Sequence, residues 1–207
     1  VQSDVPEKLA SLKTLANNLW WSWNTDAESI FRQMDPSLWE EVKHNPKLLL
    51  EKIDYKRLLV LEDDEEFIAG LEKTEKQFRE YINRPADPGK PSIAYFSMEF
   101  GIHPCLKIYS GGLGILAGDY LKEASDSNLN IAGMGLLYRY GYFRQKLGPR
   151  GEQLPIYEAE DFSHLPVSPV KDSEGNHLTV SLVWPGRTVK IRVWEAMVGK
   201  VSLFLLD

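Results

Sequence analysis

An α/β chain that begins with a helical region is what this sequence predicts, on three observations. Through the first 82 residues, apolar side chains recur three and four apart, the period of an amphipathic helix. At 84–91, Arg-Pro-Ala-Asp-Pro-Gly-Lys-Pro sets three prolines and a glycine in eight residues, a linker that breaks regular structure. Beyond it, short apolar runs flank a single amphipathic helix, and a β-hairpin pattern follows. The expected organisation is a helical extension over 1–83, a linker over 84–91 and an incomplete α/β domain over 92–207.

Each element has its own signal. Asp4 is placed to cap the first helix, with Pro6 in its first turn. Leu9, Leu12, Leu15, Ala16, Leu19, Trp20 and Trp23 then share one face, which leaves Trp21 off the buried stripe. A second helix starts at Thr25 or Asp26 and buries Ile30, Phe31 and Met34. Asp35-Pro36 ends it, because the residue before a proline is pushed out of the helical region. Leu48, Leu49, Leu50 and Ile53 form a third apolar cluster behind Pro46. Residues 63–83 carry acids in their first turn, which suits the positive end of a helix, and Phe67, Leu71, Phe78 and Tyr81 as a buried stripe.

After the linker, 92–97 reads as a buried strand and 131–137 as another. Between them, 113–127 is a helix whose apolar face is Leu113, Leu116, Ala117, Tyr120, Leu121 and Ala124. Strand, helix, strand with short joints is a βαβ unit, which implies a parallel sheet and a right-handed crossover. Residues 178–184 and 188–194 alternate about Pro185-Gly186-Arg187 and read as a hairpin, and 201–206 is a further strand. The sequence stops directly after that strand, inside a sheet, so the natural protein is expected to continue.

Composition narrows the function. Hydrophobic residues make up 43% and charged residues 26%, the balance of a soluble globular chain. The net charge of −6, with no basic run, repels a phosphate backbone and argues against nucleic-acid binding. The lone cysteine, Cys105, makes no internal disulfide, and no Cys/His spacing points to a metal site. It is expected to be a small buried residue in a reducing, cytoplasmic setting. No signal peptide is visible, and no apolar run approaches the ~18 residues of a membrane span.

The segment that carries chemistry is Ile108-Tyr109-Ser110-Gly111-Gly112-Leu113-Gly114, at the opening of the amphipathic helix. A helix N-terminus has amides without intrahelical acceptors and the positive end of the dipole. Glycines there remove the Cβ atoms that would hold an anion away, which makes a site for phosphate or a phosphorylated sugar. Ser110 could instead cap the helix through its hydroxyl. A Walker loop is excluded, since Ile115-Leu116 stands where Lys-Ser/Thr is required. The dinucleotide pattern fails too, because Gly118 comes one residue late after Gly112 and Gly114. Spacing alone leaves two readings open: an anion site, or a tight turn with close helix–sheet packing.

Three blocks taken together resemble the α-glucan phosphorylase family. They are Tyr95-Phe96-Ser97-Met98-Glu99-Phe100, then Ser110-Gly111-Gly112-Leu113-Gly114-Ile115-Leu116-Ala117-Gly118-Asp119, then Gly135-Leu136-Leu137-Tyr138-Arg139-Tyr140-Gly141-Tyr142-Phe143-Arg144-Gln145-Lys146. Their order and separation match, closely over 92–165. Residues 1–83, with Leu19-Trp20-Trp21-Ser22-Trp23, resemble the helical extension of a bacterial and archaeal subgroup. The resemblance implies a Rossmann-like, glycosyltransferase-B type fold with the active site between two domains. It implies a glycosyltransferase that phosphorolyses α-1,4-glucans to glucose 1-phosphate. Pyridoxal phosphate would carry the proton through its own phosphate, held as a Schiff base by a lysine of the second, C-terminal domain, outside these 207 residues. No catalytic residue is therefore expected here, and the chain alone is expected to be inactive.

Carried over residue by residue, Gly111 and Gly112 would offer amides to phosphate and Leu113 would approach the sugar. Glu99 would lie on the cofactor side of the cleft, against the glycine loop. His103, Ser110 and Arg139 are further cleft candidates. Ser110 stands where the animal enzymes have asparagine and Ile115 where they have arginine, which argues against their nucleotide and phosphorylation control. A homo-oligomer is left open, as is the preferred glucan length. Two alternatives stand beside this reading. A glycogen-synthase type enzyme would place a lysine two residues before the glycines, whereas Lys107 is four before Gly111. A non-catalytic glucan-binding module would use exposed tryptophans, of which Trp21 is the candidate. Glu158, Glu160 and Asp161 are too close in sequence for the ~5 Å or ~6.5–9.5 Å geometry of a glycosidase pair and read as a solvated face.

Overall fold

The computed structural model describes residues 5–85, 89, 91–141 and 143–207. The expected cap at Asp4, most of the central linker residues and Tyr142 lie outside the described residues. Helices α1 (Ser11–Ala16), α2 (Thr25–Met34), α3 (Pro36–Glu41), α4 (Pro46–Lys52), α5 (Tyr55–Glu62) and α6 (Glu65–Ile82) precede the first strand. Their starts are set by side chains that accept first-turn amides. Asn24 accepts from Ala27, Asp35 from Leu38, Asn45 from Lys47 and Leu48, Asp54 from Lys56, and Asp64 from Glu66 and Phe67. Pro36 and Pro46 open their helices, where the missing N–H would have had no partner. Asp35 ends α2 in an extended conformation, as the following proline requires.

The single helix expected over 9–23 is broken. Residues Glu7–Leu9 and Leu19–Trp23 are 3-10 turns on either side of α1. Asn18 is the cause. Its backbone is extended, its Oδ1 accepts from Trp20 N at 3.0 Å, and its amide exchanges two 2.9 Å bonds with the backbone of Gly199. A contact 181 residues away in sequence outweighs the local period. With the turn rewound, Trp21 is buried at 1% exposure, so it is not the surface aromatic that the helical count implied.

The sheet runs β1 (Ile93–Phe96), β2 (Ile131–Leu136), β8 (Val201–Leu206), β7 (Arg187–Val198), β5 (Ser168–Pro169), with β6 (Thr179–Trp184) paired to β7. β1, β2 and β8 are parallel, and β7 is antiparallel to β8, β5 and β6. Helix α7 (Gly112–Asp126) joins β1 to β2 and completes the expected βαβ unit. Trp184 pairs with Arg187 around Pro185-Gly186, and Gly186 takes a φ of 79° that favours glycine. A separate hairpin, β3 (Arg144–Leu147) with β4 (Gln153–Ile156), lies on the surface.

Two expected faces differ from what folds. Strand β1 is largely exposed rather than buried, with Phe96 at 69%. It ends the sheet among the described residues, so one edge and part of its face lack a neighbour. In α7 the buried positions are Gly114, Ala117, Gly118, Leu121, Ala124 and Ser125, whereas Leu113, Leu116 and Tyr120 are exposed. Ala117, Leu121 and Ala124 are buried as expected, but the inward stripe is rotated toward Gly114 and Gly118. Small residues let the helix approach another backbone closely, and that close approach fixes which side turns inward. One hydrophobic cluster then runs from Leu9 through Trp39, Phe100 and Leu121 to Leu205, so helices and sheet share a core.

Candidate functional site

The glycine turn sits between the end of β1 and the first turn of α7. Gly111 is the N-cap, with φ 71° and ψ −161°, a conformation that a Cβ would strain. No side chain caps the helix, so Ser110 does not act as the alternative reading allowed. Its hydroxyl turns to Glu99 instead. Ser110 Oγ donates to Glu99 Oε1 and Ser110 N donates to Glu99 Oε2, both at 3.1 Å. Glu99 is itself fixed: Ser97 Oγ donates to its carbonyl at 2.9 Å and accepts from its N–H at 3.3 Å.

Beside this clamp the packing is tight. Gly101 N donates to Gly114 O at 2.7 Å. A Cβ on Gly118 would fall far inside contact distance of the Gly101 carbonyl, and one on Gly114 would strike Tyr109. Those two glycines serve close packing, the second of the two readings that spacing left open. Gly111 and Gly112 are different. A Cβ on either would meet nothing within 4 Å, and both are exposed, as is Leu113 at 59%. The first-turn amides there have no acceptor within their own helix and stand at the positive dipole end.

Glu99 and Ser110 line a cavity of about 230 Å³ with Lys107, Tyr109, Tyr138, Tyr140 and Phe143. Lys107 is held by an ion pair to Glu160 at 2.5 Å. Tyr138 OH donates to Met98 O at 3.1 Å and ties the third sequence block to the first. The other two expected cleft residues lie elsewhere. His103 faces the helices: its ring meets Trp21 edge-on at 4.6 Å, and its Nδ1 accepts from Cys105 N at 3.2 Å. Burial pushes its pKa down to about 4, with smaller contributions from the neighbouring cations. Arg139 stacks its guanidinium 5.0 Å from the Phe162 ring and lines a different cleft, with Glu160, Asp161, Arg192 and Trp194. The structure therefore brings together Gly111, Gly112, Leu113, Ser110 and Glu99, and sets His103 and Arg139 apart.

The remaining candidates settle into structural roles. Cys105 is buried and unbridged, and burial pushes its thiol up to about 12, so it is not a thiolate at neutral pH. Glu158 pairs with Arg144, Glu160 with Lys107, and Asp161 caps the turn Phe162–His164. Sequence reading missed Tyr138, Tyr140 and Phe143 as lining residues. Their block was visible as a motif, but nothing in it gave the direction of each ring. Among the described residues no group of three or more metal-ligating side chains is found, and no helix is long and apolar enough to cross a membrane.

An α/β protein with an open glycine turn after a parallel strand, buttressed by a helical layer, is the class that fold and site define. Within it, residues 5–106 match a protein-family model described as a protein of unknown function, DUF3417. The chain is 40% identical over its whole length to the glycogen phosphorylase of Mycobacterium tuberculosis. It is 38% identical over its whole length to the maltodextrin phosphorylase of Thermococcus litoralis, and 41% identical over 93% of its length to the glycogen phosphorylase of Aquifex aeolicus. The chain is homologous to α-glucan phosphorylases. It spans only 26% of the length of the first two relatives and 28% of the third.

Proposed function

We propose that this chain is the N-terminal part of an enzyme that phosphorolyses α-1,4-glucans and releases glucose 1-phosphate. Identity of 38–41% to proteins named glycogen and maltodextrin phosphorylase supports the reaction class. The observation that carries the site is the exposed turn at Gly111 and Gly112, with no atom within 4 Å of where a Cβ would stand. Its amides donate to the phosphate oxygens, and Leu113, exposed at the same turn, meets the sugar. Preformed donors of this kind stabilise developing negative charge without reorganising, and the loss of one typically lowers rate about 10²–10³-fold.

The parallel strands β1, β2 and β8 with α7 are the start of a Rossmann-like domain of glycosyltransferase-B type. The helical extension covers 1–83, the linker 84–91, and the α/β domain begins at 92. Pyridoxal phosphate, when bound in the whole enzyme, would supply a second phosphate as a proton carrier. The fit here is partial. The open turn at Gly111–Gly112 suits a phosphate and the aromatic cavity beside Ser110 suits a ring, but the lysine lining that cavity, Lys107, is committed to Glu160. On this reading the lysine that would hold the cofactor lies outside these 207 residues, and this chain by itself is inactive. A cytoplasmic location is part of the same proposal.

The test is direct. The full-length protein, given maltoheptaose and inorganic phosphate, releases glucose 1-phosphate, and the isolated 207 residues release none. Silence from the full-length protein overturns the reaction, and turnover by the isolated chain overturns the partition.

A further inference from the structure

The glycine turn is open on one side and strapped on the other, and the strap ends in a carboxylate. Residues 97–101 run across the start of α7. The Ser97 hydroxyl holds both backbone groups of Glu99, and Tyr138 OH holds the carbonyl of Met98. The Gly101 amide holds the carbonyl of Gly114, and Gly118 packs directly on the Gly101 backbone. From this fixed platform the Glu99 side chain reaches across 11 residues to take both donors of Ser110. Ser110 immediately precedes Gly111, whose positive φ aims the amides of the first turn.

We infer that Glu99 is the positioning residue of the glycine turn: its two oxygens hold Ser110 and thereby pre-set the Gly111–Gly112 amides for a phosphate. The inference rests on the function proposed above and adds a role that neither the motif nor the open turn supplies. Two features argue that the role is geometric. A carboxylate beside a phosphate site repels the ligand, so its charge alone works against binding. Its two oxygens meet a backbone N–H and a hydroxyl of one residue, an arrangement that fixes a direction as well as a distance. Adjacent glycines leave the chain many conformations, and ordering even one residue costs enough to change an equilibrium about tenfold.

The test compares Glu99→Gln and Glu99→Ala in the full-length protein. The glutamine substitution keeps an acceptor for Ser110 N, and the new side-chain amide can donate to the Ser110 hydroxyl, so the clamp survives without charge. Glu99→Ala is expected to raise the KM for phosphate about tenfold while leaving the KM for maltoheptaose and the melting temperature close to wild type. Glu99→Gln is expected to stay within about threefold of wild type, a conservative rescue that a purely electrostatic role would not give. Amide hydrogen exchange at Ile115, whose N–H donates to the Gly111 carbonyl, gives a second readout that needs no turnover. Glu99→Ala speeds it and Glu99→Gln does not. A wild-type phosphate KM in Glu99→Ala, or equal losses in both variants, overturns the inference. If the full-length wild type shows no phosphorolysis but exchange follows the expected pattern, the clamp stands and the proposed reaction falls. Unchanged exchange in Glu99→Ala sinks the clamp alone.

Discussion

The aromatic seam of the helical layer and the glycine turn of α7 belong to one fold and obey opposite rules. In the seam, Trp21 meets Phe31, Trp39 and His103 within 4.6–6.1 Å, and Trp39 stacks on Phe31 at 6.1 Å and on His44 at 5.1 Å. Trp21, Phe31 and Trp39 are at most 1% exposed. At the turn, Gly111 and Gly112 have empty space where side chains would be. The first region is specified by what fills it and the second by what is kept out. Residue type therefore misleads when read alone: Trp21 and Trp39, which invite a sugar, are core, and the bare glycines are what the surface exposes.

Substitutions can break this contrast in a definite order. Trp39→Ala empties the seam and is expected to destabilise the chain by about 3–5 kcal/mol, read by denaturant unfolding. Gly118→Ala is next. Its methyl must displace the backbone of Gly101, so about 1–3 kcal/mol is expected, with the glycine turn disturbed as well. Asn18→Ala removes three bonds at the hinge between helices and sheet and leaves the Gly199 backbone unpaired, for a loss of about 1–3 kcal/mol.

His103 gives the seam a pH dependence. Its folded pKa, about 4, lies below its ordinary value near 6.5, so the unfolded chain binds the proton more readily. Its contribution is complete above about pH 6.5 and is lost as pH falls toward 4, up to a limit of about 3 kcal/mol. His103→Gln is expected to flatten that part of the stability profile, and an unchanged profile would remove His103 as its source. The smallest effect on stability belongs to Gly112→Ala. With nothing within 4 Å of the new methyl, the melting temperature should hold or rise slightly, while phosphate-dependent turnover of the full-length protein falls.

Local signals were legible where local chemistry decides. The start of α2, its stop at Asp35-Pro36, the β6–β7 turn and the βαβ unit all follow from caps, prolines and period. Distant contacts decide the rest. Asn18 reads as an ordinary polar residue inside a helical pattern until Gly199 is placed against it. The inward side of α7 depends on Gly101, which no count of large apolar residues includes. Within the candidate site, Gly111 and Gly112 were legible from helix-end physics, and Glu99 only through the family motif. The directions of His103 and Arg139 were illegible, because each is turned by a ring, Trp21 or Phe162, that the sequence places far away.

A crystal of the full-length protein with glucose 1-phosphate bound measures the relation between this turn and its ligand. Phosphoryl oxygens about 3 Å from the amides of Gly111 and Gly112, with Glu99 still on Ser110, are the expected result. A phosphoryl group seated elsewhere, with the turn covered by side chains of another domain, would contradict it.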